Sequence, residues 1–128
     1  MENLIFIDTH VVVWLYDGKV ELLSDKAKKA IQDNILAFSP VVELELQYLF
    51  EIGRIRNKPH EILKDLKESI GLKSCDCDLS SIIRKAVGLT WTRDPFDRIM
   101  TAQALFGNLR LLTKDTTILK NYKKAFWD

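Results

Sequence analysis

Leu4-Ile5-Phe6-Ile7-Asp8 is a short apolar run that ends on a carboxylate, and residues 3 to 7 read as a first strand. The pattern recurs along the chain. Leu111-Leu112-Thr113-Lys114 runs into Asp115 in the same fashion, and Ile35-Leu36-Ala37-Phe38 reads as a second strand before a helical stretch that carries Glu45. Between these runs lie helical segments marked off by turn signals. Val11 to Tyr16 starts a short helix that Asp17-Gly18 ends, Ser24-Asp25 can cap a helix over roughly 25 to 33, and Pro40 opens a long amphipathic helix ending at Gly53. Strand-like and helical runs in alternation predict an α/β fold, with a parallel sheet wrapped by helices.

Past the basic turn Arg54-Ile55-Arg56-Asn57-Lys58-Pro59, residues 60 to 70 resume helical spacing with Ile62, Leu63, Leu66 and Ile70 on one side, and Gly71 stops them. Cys75 and Cys77 are expected on a third short strand, and Leu79 starts a further helix. Pro95 to Phe106 reads as helix, Leu109 to Thr113 as strand, and Ala125-Phe126-Trp127 as a last edge strand. There is no internal repeat or linker. A chain of 128 residues, 47% hydrophobic and 29% charged, fits a single domain over residues 1–128.

Nineteen basic against eighteen acidic side chains leave a formal net charge of +1. That balance excludes a histone-like or polybasic membrane protein and leaves nucleic acid to a local patch. The longest apolar runs fall well short of the roughly 20 residues of a membrane span, and Met-Glu-Asn has no basic leader character. The expectation is a cytoplasmic protein with no membrane partner. Cys75 and Cys77 suit neither a disulfide nor, without a histidine pair, a zinc site, so they are expected as buried, inert thiols.

Asp94-Pro95-Phe96-Asp97-Arg98 sets two carboxylates and an arginine at the mouth of a helix. As a helix start it needs no further role: Asp at the N-cap, Pro at the first position, and Asp at the third. The sheet adds a second reading, because functional groups in an open α/β sheet gather outside the carboxyl ends of the strands. Asp8 and Asp115 stand just past strands, Glu45 lies one to two turns into the helix after another, and Asp97 lies in the first turn of a helix facing that edge. Carboxylates crowded together repel unless a cation neutralises them. Hard oxygen donors without nearby Cys or His pairs point to Mg²⁺ or Mn²⁺, and the natural chemistry of such an ion is phosphodiester hydrolysis.

These residues resemble an ordered set of motifs. Phe6-Ile7-Asp8-Thr9-His10, Ser39-Pro40 with Glu45 and Gly53-Arg54-Ile55, Asp94-Pro95-Phe96-Asp97-Arg98 with Ala102-Gln103-Ala104, and Leu112-Thr113-Lys114-Asp115 look like those of a PIN-domain protein of the VapC toxin type. The resemblance runs from about residue 3 to residue 122. It implies a three-layer α/β/α fold with a central parallel sheet and a Mg²⁺-dependent endoribonuclease acting on structured or single-stranded RNA. It also implies a cognate antitoxin that covers the site, and a homodimer. By this match Asp8, Glu45, Asp97 and Asp115 are the catalytic and metal-binding acids.

Asp94 is an N-cap candidate that could also ligate metal. Glu43 and Glu45 point about 200° apart on one helix, and the spacing to Gly53 favours Glu45. Thr9 and Thr113 could hold a metal-bound water or orient an acid, but hydroxyls at turns and strand ends commonly bond nearby backbone, which is the favoured reading; His10 could act as a general base but, without a partner at fixed spacing, is read as local structure. Phosphate contact needs positive charge, for which Arg54, Arg56, Arg93 and Arg98 are the substrate-binding candidates. Trp91 could stack a base or cover core. Two other readings share the fold class: a receiver-like phosphoacceptor domain, which needs paired acids after its first strand, and a PIN fold serving only as a protein-binding scaffold.

Overall fold

A computed structural model of the chain describes residues 3–128. Five parallel strands form one sheet: β1 (Leu4–Ile7), β2 (Ile35–Phe38), β3 (Lys73–Ser74), β4 (Arg110–Leu112) and β5 (Ala125–Phe126). Their order is β3-β2-β1-β4-β5. Among the described residues seven α-helices flank them: α1 (Thr9–Asp17), α2 (Asp25–Asp33), α3 (Pro40–Glu51), α4 (Pro59–Ile70), α5 (Leu79–Val87), α6 (Pro95–Phe106) and α7 (Thr116–Asn121). This is the three-layer α/β/α arrangement that the sequence predicts.

The central strand explains the apolar run that begins the chain. β1 pairs Phe6 with Ala37 on one side and with Leu111 on the other, and helices cover both faces. Ile5, Phe6 and Ile7 are therefore all buried, as a parallel strand covered on both faces requires. Truncating Phe6 to Ala would cost roughly 3–5 kcal/mol through lost burial and the cavity left behind.

Short polar side chains set the helix starts. Asp8, Ser24, Ser39, Asp78, Asp94 and Asp115 each stand at an N-cap and accept a backbone N–H. Gly18 and Gly71 end α1 and α4 in the left-handed region, with φ of 70° and 73°.

The chain steps outward from β1 to β2 and β3, then returns across the sheet to place β4 on the other side of β1. The connection therefore changes direction between β1 and β4. Such a switch point opens a crevice at the carboxyl ends of the two strands.

Two elements differ from expectation. β3 covers Lys73–Ser74 and not the cysteine pair. It pairs only with Ala37 and Phe38; after the Cys75 N–H bonds the Phe38 carbonyl, the chain leaves the sheet edge for the Asp78 cap. Cys75 is consequently half-buried and Cys77 exposed, not a buried pair. The second difference is α7, a six-residue helix between Asp115 and the last strand that the apolar periodicity does not announce. No helix among the described residues is long and apolar enough to cross a membrane.

Candidate active site

Asp8 occupies the crevice between β1 and β4. Its N–H continues the ladder onto the Leu112 carbonyl at 3.1 Å, and its side chain is only 3% exposed with the residue as a whole. Oδ1 accepts the Thr9 N–H at 2.6 Å, while Oδ2 accepts the Thr113 hydroxyl at 2.5 Å and lies 3.2 Å from His10 Nδ1. Burial pushes the Asp8 carboxyl up, against the pull of His10, Thr113 and Thr9, and Asp115 adds to the rise. His10 is held at both ends of its ring: Nε2 accepts the Lys114 backbone N–H at 3.3 Å. Its proton therefore belongs on Nδ1, where it is donated to Asp8.

Thr9 joins the second acid to the first. Its backbone N–H serves Asp8, and its hydroxyl donates to Glu45 Oε1 at 2.5 Å. Glu45 lies in the second turn of α3 and is pushed up by burial; the Thr9 bond opposes this, while Asp8 and Asp94 reinforce it. Asp115 caps α7, accepting the Ile118 N–H at 2.9 Å, and its own N–H bonds Thr113 Oγ1 at 3.0 Å. The Thr113 hydroxyl thus bridges the acids at the ends of β1 and β4.

Asp97 lies in the first turn of α6. Its carboxyl is pushed up to about 8, first by burial and then by Asp94, Asp8, Asp115 and Glu45 in that order. The fold thus brings all five sequence-predicted acids within electrostatic reach of one another. Asp94 has the capping role: its Oδ1 accepts the Phe96 and Asp97 N–H groups at 2.9 and 3.2 Å.

A partly buried cluster of carboxylates with so little countercharge fits a hard divalent cation. Among the described residues, no three Asp, Glu, His or Cys groups are gathered tightly enough to ligate one ion directly.

The four candidate arginines lie in three places. Arg98 directs Nε and Nη2 onto the Ala86 carbonyl at 3.1 and 2.9 Å, and Nη2 onto Val87 at 3.0 Å. Its guanidinium thereby clasps the last turn of α5. Arg54 and Arg56 line a groove with Trp14, Tyr16 and Asp17. α1 and α3 both start at the carboxyl edge and run away from it, so this groove begins about 8 Å along the α1 axis from Asp8, at Val13 and Trp14. Arg93 is exposed immediately before Asp94, with Nη1 on the Thr90 carbonyl. Trp91 is half-buried and packs against the main core.

The sequence reading set local backbone bonding above the role that Thr9 and Thr113 take here, orienting Glu45 and Asp8, and did not find the bond between His10 and the Lys114 N–H. The available signal was position, since each stands within two residues of an acid at a strand end. It also missed Gln103, buried in α6, which accepts the Ser39 hydroxyl at 2.6 Å and donates to the Cys75 carbonyl. That amide ties α6 to the ends of β2 and β3 beside the acids.

The fold has close structural counterparts. Over 98% of the chain and 99% of its counterpart, it matches VapBC2 from Rickettsia felis bound to a promoter DNA fragment, at a TM-score of 0.65 and 17% identity. A toxin-antitoxin complex from Klebsiella pneumoniae matches over 95% of both chains at 0.66 and 16% identity. VapBC-1 from nontypeable Haemophilus influenzae matches over 98% and 96% at 0.65 and 12% identity. No curated protein matches the sequence. The family model for the PIN domain matches residues 5–124, and the chain belongs to the PIN-domain family.

Proposed function

We propose that this chain is a Mg²⁺-dependent endoribonuclease and the toxin of a VapBC-type toxin-antitoxin pair, folded as a single domain and acting in the cytoplasm. The observation that carries the reading is the convergence of Asp8, Asp94, Asp115 and Glu45 on Asp97. Solved VapBC complexes of the same fold support the assignment of a cognate antitoxin.

Asp8, Glu45, Asp97 and Asp115 are the residues that would hold Mg²⁺, or Mn²⁺ in its place, directly or through water. Bound there, the cation would polarise a phosphoryl oxygen and make a water molecule more acidic. The chain's own contribution is orientation. Thr113 and His10 fix the Asp8 carboxylate, and Thr9 fixes Glu45, so the acids need little rearrangement when charge develops on the phosphate.

A homodimer is favoured by two unpartnered apolar stripes. Leu44, Tyr48 and Ile52 recur every four residues on and just past α3, and Leu79, Ile83 and Val87 do so on α5, all between 41% and 67% exposed. Monomeric proteins seldom leave such faces bare. Sedimentation of Leu79→Asp beside the parent protein should show the dimer weakened.

The primary test is cleavage of a mixed small-RNA pool by antitoxin-free protein in Mg²⁺ or Mn²⁺, beside EDTA and Asp97→Asn controls. Cleavage lost in both controls is expected. Cutting that survives both would overturn the metal-carboxylate mechanism.

A further inference from the structure

A second groove, of about 360 Å³, lies between α4 and β3 and is lined by His60, Leu63, Lys64 and Lys67 of the helix together with Lys73 and Ser74 of the edge strand. Resting on the ribonuclease reading, we infer that this groove is a phosphate-backbone track for the RNA substrate, with Lys64 and Lys67 as its principal contacts.

The distribution of charge around α4 is the first support. His60, Leu63, Lys64 and Lys67 follow the i, i+3, i+4, i+7 spacing of one helix face, whereas Glu61, Asp65 and Glu68 fall about a third of a turn round. A merely solvated helix intersperses its signs along one face, as i, i+4 pairing favours. Here only the bases of α4 line the groove, and although Glu68 stands four residues beyond Lys64, no ion pair joins them among the described residues. Among the described residues neither Lys64 nor Lys67 is in an ion pair, so both ammonium groups are available.

Position is the second support. Phe38 at the groove is the last residue of β2, the next residue caps α3, and Glu43 at the groove mouth is two residues from Glu45. The groove therefore opens at the carboxyl edge of the sheet, on the side of α3 opposite Glu45, so that a strand leaving it reaches the acids by passing round the start of that helix. The Arg54 and Arg56 groove contains Asp17 and runs to the far ends of α1 and α3. A single strand held on Lys64 and Lys67 would be kept near the acids, whose own charge repels phosphate. Glu43, which lines the groove from α3, would discourage the backbone from settling against that wall.

The test uses the full chain carrying Asp97→Asn, so that RNA is bound and not cut. The probe is a fluorescein-labelled mixed-sequence single-stranded oligoribonucleotide, titrated at several salt concentrations. Lys64→Gln with Lys67→Gln is compared with a control pair elsewhere on the surface, Lys28→Gln with Lys123→Gln. Affinity is expected to fall about tenfold, and the slope of log K against log salt to shrink by about 1.4, as for two lost single-strand phosphate contacts. The control pair should move neither. In the cleaving parent the same double substitution is expected to raise KM with kcat unchanged.

Equal affinity and slope in both pairs would overturn the inference while leaving the ribonuclease reading intact. Failure of the parent to bind the oligoribonucleotide at all would remove that reading and the inference with it. A poly-aspartate peptide bound through Lys64 and Lys67 in place of RNA would reassign the groove to an acidic protein partner.

Discussion

The Thr113 hydroxyl lies 2.5 Å from Asp8 Oδ2 and also accepts the Asp115 N–H at 3.0 Å, so one side chain at the end of β4 holds the acids of two neighbouring strands in register. Both bonds form at the switch point of the sheet, in the dry interior, where Thr113 is fully buried. Thr113→Val keeps the shape and removes both. The half-buried Asp115 N–H then loses a partner, at about 1 kcal/mol, and Asp8 becomes free to turn. Mn²⁺ affinity measured by calorimetry is expected to fall about 10- to 100-fold, the usual penalty for losing a group that orients a ligand. Thr113→Ser should restore it. Unchanged affinity in Thr113→Val would remove Thr113 from the site.

The raised Asp97 carboxyl makes the stability of the metal-free protein depend on pH. Its folded value of about 8 stands above the ordinary 3.8, so below pH 4 the proton is bound in both states and the native protein suffers no repulsion from this group. Between pH 4 and 8 the unfolded chain releases the proton while the folded chain keeps it, and stability falls as pH rises. Above 8 the effect is complete and the slope flattens. Asp8 and Glu45, also raised by burial, act in the same direction. In EDTA, Tm is expected to decline across this window; Asp97→Asn should reduce the decline, and saturating Mg²⁺ should stabilise more at pH 8 than at pH 5. Equal stabilisation by Mg²⁺ at both pH values would argue against a cation held by these acids.

Arg98 is expected to stabilise the fold and not to bind substrate. It places its donors on the carbonyls at the end of α5, where a cation also meets the negative end of the helix dipole. Arg98→Met should therefore lower stability by about 1.5–3 kcal/mol in urea denaturation, in line with lost charged hydrogen bonds. RNA affinity of the folded fraction should not change. A drop in affinity with unchanged stability would reverse the assignment.

These residues also mark where sequence reading succeeds and where it stops. Strand and helix limits around Asp8, Pro40, Gly71 and Pro95 were legible because caps and breakers act within a few residues of themselves. The convergence of Asp8, Glu45, Asp97 and Asp115 at one edge followed from parallel strand order. By contrast, the Arg98 partners lie eleven and twelve residues upstream, and Thr113 meets Asp8 across 105 residues, so no local pattern announces either contact. For a related reason the place of the basic turn at Arg54 to Lys58 could not be read: charge density is legible, but the groove it lines with Trp14 and Asp17 is set by topology. α7 was missed because Thr116 and Thr117 are poor helix formers, and its start depends on an Asp115 cap that reads equally well as a site acid. The cysteine strand failed because an edge pairing of two residues leaves no periodicity to detect.

Thr101 offers a test of a different kind, on stability alone. It lies in the middle of α6 at 1% exposure, and Oγ1 has no hydrogen-bond partner among the described residues. It borders a cavity of about 330 Å³ with Leu89, Trp91, Leu105 and Tyr122 among its walls, surroundings in which a hydroxyl gives up water with little return. Replacing it with valine preserves the β-branched shape and removes the orphaned group. The Val side chain is slightly less suited to a helix by propensity only in name, since Thr and Val rank together. Thr101→Val is therefore expected to raise stability by up to about 1 kcal/mol in urea denaturation, whereas Ser39→Ala, which breaks a satisfied buried bond to Gln103, should lower it by a similar amount or more. A loss of 1 kcal/mol or more in Thr101→Val would show that the hydroxyl is satisfied after all by an ordered water in the cavity, because only a partnered hydroxyl leaves a deficit when removed.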